Sequence, residues 1–433
     1  MGDRPPNLVL IVTDDQGYRD VGFNGGTQIP TPNLDRIAHE GVRFTQSYVT
    51  YAVCGPSRAG FITGRYQDRF GGSRNPTPNP AVPNNGVPLT EQNLAELLKP
   101  QGYTSIIIGK WHLGTYPNLR PLVRGFDEFY GFLSGGHDYF PENLTYETLE
   151  DVDRKWAWYR TKLLDQETRV GTTKYLTDEL SDRAVDFIER KKGEPFFVYL
   201  AYNAPHTPMQ ASAEYLERFS HIENETRRTY AAMVASVDDG VGRVLDKLDE
   251  HGLAEDTLVV FFSDNGGASN NASNNFPLRG HKSSSYEGGI RVPFAMRWTG
   301  TMPAGVDYDH PVSALDVAGT IAAAADVEIA TDRPLDGVDL VPFVTGQAEG
   351  RPHETLVWRK YDQDEWVVRH RDEKLIHRKG EFQLFDLAAD PSEKSDLATE
   401  RPERVAALTA EFEAWAGQMV SPAYPGLGSW TFD

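Results

Sequence analysis

One cysteine in 433 residues is too few for an intrachain disulfide framework or a thiolate zinc cluster. Positive charge is also scarce: 43 Lys and Arg stand against 63 Asp and Glu, for a formal net charge of −20. Nucleic acids and anionic membrane surfaces both call for a basic field, so neither is an expected partner. No apolar run approaches the length of a spanning helix, and neither an internal repeat nor a low-complexity tract is present. The opening MGDRPPNLVLIV lacks the basic, apolar and small-residue order of a secretory leader. As it stands the chain is expected in the cytoplasm, or in the periplasm or outside the cell if a leader preceded it.

What is there is an ordinary globular mixture, 39% hydrophobic and 24% charged, long enough for a large core. Apolar runs at Leu8–Thr13, Thr104–Gly114, Pro195–His206 and Thr257–Gly267 read as buried strands. Thr31-Pro32 opens a helix to about Glu40, a capping residue ahead of a first-turn proline. Further helical patterns run over Leu89–Leu98, Lys174–Lys191 and Arg227–Glu250. The alternation predicts an α/β fold with a large, mostly parallel central sheet flanked by helices. Between Gly114 and Thr173 the rhythm is lost and aromatics gather, among them Tyr130, Tyr139, Trp156, Trp158 and Tyr159. We read this as an insertion or long loops able to wall a pocket, and Asn75–Pro88 as a Pro/Asn linker. After about Gly350, TLVWRK, EWVVRHRD, EKLIHRK and EFQLFDL predict a small antiparallel sheet. A helix from Arg401 to about Ala416 follows, with Gly417 as its stop. The expected units are thus a catalytic α/β domain over 1–349 and a C-terminal subdomain over 350–433.

In such sheets, sites form outside the carboxyl ends of the strands, and polar clusters follow all four runs. Asp14-Asp15 and Asp264-Asn265 are hard oxygen donors suited to Ca²⁺ or Mg²⁺ rather than zinc. A lone Asp-Asp pair is more often a cap or turn; two oxygen-rich pairs at neighbouring strand ends favour a metal. Lys110 and His112, two apart in GKWHLG, face one side if the segment stays extended. His206 sits between prolines, and Lys282 in a Gly-flexed loop. Either histidine, alone, is more often a packed or surface residue, but at a strand end an imidazole can move protons near neutral pH. Cys54 precedes Gly55 and Pro56 at a helix start, with Arg58 one turn beyond. Arg58, Lys110, Lys282, a metal and free helix N–H groups would make a cationic surrounding that binds a tetrahedral oxyanion and lowers a thiol pKa.

These residues resemble the formylglycine-dependent type I sulfatases of the alkaline phosphatase superfamily. C-G-P-S-R at Cys54–Arg58 is similar to the family's C-x-P-S-R signature, continued by AGFITGR, and GKWHLG resembles its second signature. TDDQGY, PHTP, SDNGG and K-x-x-x-YEGGIRVP follow in the family's order, and FQLFDLAADPSEKSDL is similar to its C-terminal subdomain. The resemblance spans nearly the whole chain. It implies that a maturation enzyme converts Cys54 to Cα-formylglycine, whose hydrated form attacks sulfur, and that Asp14, Asp15, Asp264 and Asn265 with residue 54 hold Ca²⁺ or Mg²⁺. It further implies that Arg58 holds the diol and Lys110 the sulfate. His112 takes the second diol proton, and His206 and Lys282 meet the bridging oxygen, His206 protonating the departing alcohol.

The substrate expected is a sulfated sugar of glycosaminoglycan or algal type, held at an exposed residue because an acidic surface repels a long polyanion. His137, Asp138 and His281 are candidate contacts to its hydroxyls. A phosphonate monoester hydrolase or phosphodiesterase is the nearest rival, but such relatives carry Asp-His where this chain has Asp264-Asn265. A non-catalytic binder of sulfated glycans is the rival of another class, and would follow from failure to mature Cys54.

Overall fold

Every residue of the first strand, Asn7–Thr13, is buried, and its alternate side chains enter two different cores. Leu8, Leu10 and Val12 face one; Val9 and Ile11 face the other. A strand covered on both sides has no polar face, which is why it reads as a continuous apolar run. The structure is a computed structural model and describes residues 4–427. The first three residues of the opening quoted above, and the last six of the expected C-terminal subdomain, lie outside the described residues.

The strands in chain order are β1 (Asn7–Thr13), β2 (Val42–Phe44), β3 (Ser47–Tyr48), β4 (Thr104–Lys110), β5 (Glu128–Phe132), β6 (Leu163–Asp165), β7 (Thr168–Val170) and β8 (Phe196–Ala201). Then come β9 (Thr257–Ser263), β10 (Phe294–Arg297), β11 (Val306–Tyr308) and β12 (Val312–Ser313). Ten of them form one sheet in the order β11-β2-β10-β9-β1-β8-β4-β5-β6-β7. Its middle, β9-β1-β8-β4-β5, is parallel throughout, and antiparallel pairing is confined to the flanks. Helices Pro32–His39, Leu176–Lys191 and Glu225–Glu250 cover one face. Helices Cys54–Thr63, Leu94–Leu98 and Asp316–Ala324 cover the other. The expected α/β architecture is therefore observed.

Three local expectations are corrected. The aromatic stretch after Gly114 is not only loop, because it contains β5, which pairs in parallel with β4. Gly109 and Gly131 are partners in that pairing, and a Cβ on Gly131 would lie 2.0 Å from the Gly109 carbonyl oxygen, so the two backbones need this close approach. The helix expected over Leu89–Leu98 is reduced to Leu94–Leu98, started by a capping box in which Asn93 accepts from the N–H groups of Ala95 and Glu96. The Asn75–Pro88 linker is packed rather than free, and Asn75 Oδ1 accepts the Gly55 N–H at 2.9 Å.

Beyond the large sheet, β13 (Thr355–Lys360), β14 (Glu365–His370), β15 (Glu373–Arg378) and β16 (Glu381–Asp386) form an antiparallel meander. Helix Pro402–Ala416 lies on one of its faces, with Leu408 buried among Val357, Val368, Leu375 and Leu384. Gly417 ends that helix while keeping right-handed angles, φ −61°. The meander's other face supplies Leu356, Trp358, Val367 and Ile376 to the same core as Leu8 and Phe262. Trp358 Nε1 also donates to the Val49 carbonyl at 2.6 Å.

Candidate active site

Register brings the site together. Thr13 pairs with Ser263 across β1 and β9, so Asp14 and Asp264 leave the sheet side by side. The Asp264 N–H donates to the Thr13 carbonyl at 3.0 Å, and the Asp14 N–H to the Ala204 carbonyl at 3.3 Å, which draws in the segment after β8. The carboxyl end of β4 delivers Lys110 next to them. Its Nζ lies 2.6 Å from Asp14 Oδ2, both groups fully buried.

Cys54 is the first residue of the helix Cys54–Thr63, which starts two residues ahead of Pro56 from an extended Val53. One turn on, fully buried Arg58 donates from Nε to Asp264 Oδ2 at 2.8 Å and from Nη1 to Tyr199 Oη at 3.0 Å. Lys282 Nζ meets Asp15 Oδ1 at 2.6 Å and Cys54 Sγ at 4.0 Å. Asp15 Oδ1 also accepts from Asn265 Nδ2 at 2.7 Å, and Asp15 Oδ2 faces His206 Nε2 at 3.7 Å.

His112 does not continue the strand as expected. Its φ of +57° turns the chain, and its ring lies against Gly135, where a Cβ would sit 2.8 Å from it. Burial, with Lys110 and Arg58 nearby, pushes the imidazole well below its ordinary pKa, which favours its neutral form. Burial likewise pushes His206 down to about 4, against the opposing pull of Asp15. The Cys54 thiol would be raised by burial, but Lys110 and Lys282 outweigh that and lower it. Lys282 would be lowered by burial, yet Asp15 and Cys54 hold it well above its usual value.

The residues fit a divalent metal. Asp14 Oδ1, Asp264 Oδ1 and Asn265 Oδ1 are buried oxygens with no hydrogen-bond partner, and an unsatisfied buried acceptor is costly. Donor atoms of Asp14, Cys54 and Asp264 all lie within 4.8 Å of one another. Burial raises the Asp264 carboxyl, and the charge of Asp14 adds to that. A hard cation would relieve this crowding, and the oxygen-rich donors match Ca²⁺ or Mg²⁺.

Beside these residues opens a cleft of ≈ 420 Å³ lined by Asp15, Trp156, Tyr159, His206, Thr207, Pro208, Asn270 and Lys282. Three residues expected at the rim fare differently. His137 is fully buried, its Nδ1 2.7 Å from the Asp138 carbonyl and its Nε2 2.7 Å from the Thr161 carbonyl, with Phe132 against the ring. It braces the loops and has no atom to offer a sugar. Asp138 is buried too, its Oδ1 accepting from Gln210 Nε2. His281 is exposed beside Lys282, but is not among the residues lining the cleft. Sequence reasoning missed Tyr199 and Asn270; the one signal for Tyr199 was a phenol inside an apolar strand run.

The sulfatase domain description matches residues 6–327. The chain belongs to the sulfatase family. The description N-sulphoglucosamine sulphohydrolase, C-terminal, matches residues 281–415 of this sulfatase. An uncharacterized sulfatase of Escherichia coli K12, YdeN, is 33% identical over 410 residues, covering 82% of this chain and 68% of that one. Mouse N-acetylgalactosamine-6-sulfatase is 36% identical over 367 residues, covering 81% and 68%. The crystal structure of Ps i-CgsB is 39% identical with a TM-score of 0.91, covering 97% of this chain and 95% of that one, and the same protein has been crystallised with k-i-k-neocarrahexaose. As a sulfatase the chain is a hydrolase of sulfuric esters, in a family that uses formylglycine and a divalent metal.

Proposed function

We propose that this sulfatase releases sulfate from a sulfated carbohydrate of glycosaminoglycan or algal type, with Cys54 matured to Cα-formylglycine and Ca²⁺ as its metal, Mg²⁺ being the alternative. The observation that carries the reading is the placement of Cys54 against Lys282 and within one donor cluster with Asp14 and Asp264. The names of the mouse relative and of the oligosaccharide bound by Ps i-CgsB support the substrate class.

Asp14, Asp15, Asp264 and Asn265, with residue 54, would hold the metal, which supplies a Lewis acid at the sulfate oxygens. Matured residue 54 supplies a hydrated aldehyde as the nucleophile. Arg58, fixed by Asp264 and Tyr199, orients that residue. Lys110 binds a sulfate oxygen, and charge that spreads over these oxygens in the transition state is met by preorganised cations. His112, neutral through burial, takes the second diol proton of residue 54. The bond from residue 54 to the transferred sulfate then breaks, the aldehyde returns and sulfate leaves. His206 Nε2 and Lys282 Nζ flank Asp15 on the cleft side, where the bridging oxygen departs. His206 delivers the proton, and the anionic substrate beside it favours its protonated form. The products are the free alcohol and inorganic sulfate.

The wall of the cleft suits a sugar ring. Trp156 is 50% exposed, holds a left-handed φ of +69° and packs on Trp158 and Tyr159 at centroid distances of 5.0 and 5.7 Å. An apolar ring presented to solvent in a strained conformation offers a stacking platform. The test uses matured enzyme with sulfate release as readout. Sulfated glycosaminoglycan or carrageenan oligosaccharides are turned over and phosphonate monoesters are not; the reverse preference overturns the reading. Trp156→Ala raises KM for the oligosaccharide roughly tenfold, from about 1.4 kcal/mol of lost stacking, and leaves a small aryl sulfate unaffected. An equal change for both substrates would remove Trp156 from sugar recognition.

A further inference from the structure

The loop that carries Lys282 is held from two sides. On the large-sheet side, the Lys282 N–H donates to the Gly267 carbonyl at 3.0 Å and the Ser283 N–H to the Ala52 carbonyl at 2.8 Å, two residues before Cys54. On the other side stands the C-terminal meander. Lys360 Nζ, from the last residue of β13, donates to the Ser283 carbonyl at 2.6 Å and to Glu365 Oε1 at 2.7 Å. Glu365, the first residue of β14, also takes the Ser285 hydroxyl, and Arg378 Nε at 2.6 Å. Tyr286 Oη donates to Gln383 Oε1 at 2.6 Å, and the Glu287 N–H to Glu393 Oε2 at 2.7 Å.

Ser283 has a φ of +70°, a left-handed angle unfavourable to a residue with a Cβ. The peptide that follows Lys282 therefore does not rest in this shape unaided. The Ser283 N–H is fixed by the Ala52 carbonyl, in the segment leading to Cys54, and the Ser283 carbonyl, one peptide further on, by Lys360, so an atom of the small sheet helps hold the residue next to Lys282 in this conformation. Both Lys360 and Glu365 are buried, with water largely kept from competing for these bonds.

We propose that Lys360 is a positioning residue for Lys282: through Ser283, the C-terminal sheet sets the ammonium group that meets the departing oxygen. This rests on the reading of the site given above. A residue that only joins two parts of the fold would affect every substrate and every background alike. One that acts through Lys282 weighs most where the leaving oxygen needs help, and weighs nothing once Lys282 is gone.

The experiment is a double-mutant cycle in matured enzyme, with Lys360→Met, Lys282→Ala and the double variant. Each is assayed on a sulfated sugar and on an aryl sulfate with a good leaving group. Lys360→Met is expected to lower kcat on the sugar sulfate about tenfold, the scale of a small misplacement at a reacting centre, with a smaller loss on the aryl sulfate. In the Lys282→Ala background the same change should cost less than about twofold, and Lys360→Arg should restore much of the single-variant loss. An equal loss in both backgrounds, or none in either, overturns the proposal. Should Lys360→Met not fold, Glu365→Gln, which keeps the side-chain shape and loosens Lys360, goes through the same two backgrounds with the same two readings. Failure of the parental enzyme to release sulfate from either compound would instead strike the reading of the site.

Discussion

Cys54→Ala is expected to lower sulfate release on the order of 10⁶-fold, the scale seen when a nucleophile acting within a catalytic unit is removed, while the fold persists. Cys54 is buried, with its Sγ 4.0 Å from Lys282 Nζ, and its thiol contributes little packing that a methyl group does not. Arg58, Lys110 and Lys282 keep their carboxylate partners in the variant, so the cup still binds substrate. The variant should protect the protein thermally when a sulfated oligosaccharide is added, without turning it over. Wild-type chain made without the maturation enzyme should match the variant, and mass spectrometry of the Cys54 peptide separates thiol from aldehyde in each preparation. Turnover by Cys54→Ala within about tenfold of the matured enzyme would show that residue 54 is not the nucleophile.

The second large effect concerns stability. Lys374 Nζ stands 2.9 Å from Glu287 Oε1 and 2.8 Å from Glu393 Oε1, all three side chains fully buried. Glu287 has further support from the Tyr48 hydroxyl at 2.6 Å and from Arg291. Burial would raise its carboxyl, but Lys374, Arg291 and Arg369 outweigh this and lower it. Glu393 is poorer in partners, and burial with the charge of Glu287 raises it. Removing Lys374 leaves Glu393 without its cation, facing a Glu287 that keeps only Arg291 as an ion-pair partner among the described residues, where the small sheet meets the large core. Lys374→Met is expected to lose ~3–5 kcal/mol, the usual cost of breaking a buried ion pair from one side, read from the midpoint of urea unfolding. Glu393→Gln added to that variant should recover part of the loss by removing the stranded charge. A loss below about 1 kcal/mol, the range of exposed pairs, would mean that the triad is not a structural tie.

The strand ends were legible because β1, β4, β8 and β9 are buried on both sides and so read as unbroken apolar runs with polar termini. Parallel pairing then makes convergence of Asp14, Lys110, His206 and Asp264 a consequence of topology. β5 escaped because EFYGF is five residues long, and the connection from β4 holds no α-helix to mark a crossover. His137 misled because its burial depends on Phe132 and on the Thr161 carbonyl, contacts that no local pattern records. Lys374 escaped in another way. In EKLIHR it shares a face with Ile376, and only the packing of that face on the main core turns a surface-looking lysine into a buried one.

The cationic cup has a consequence for what happens after the ester is broken. On the proposed reading, inorganic sulfate keeps the very oxygens that Lys110 and its neighbours would hold, so the product resembles the grip point of the reactant and competes for it. Product inhibition is thus built into the chemistry, and the chain's strong overall negative charge opposes it by driving a liberated anion outward.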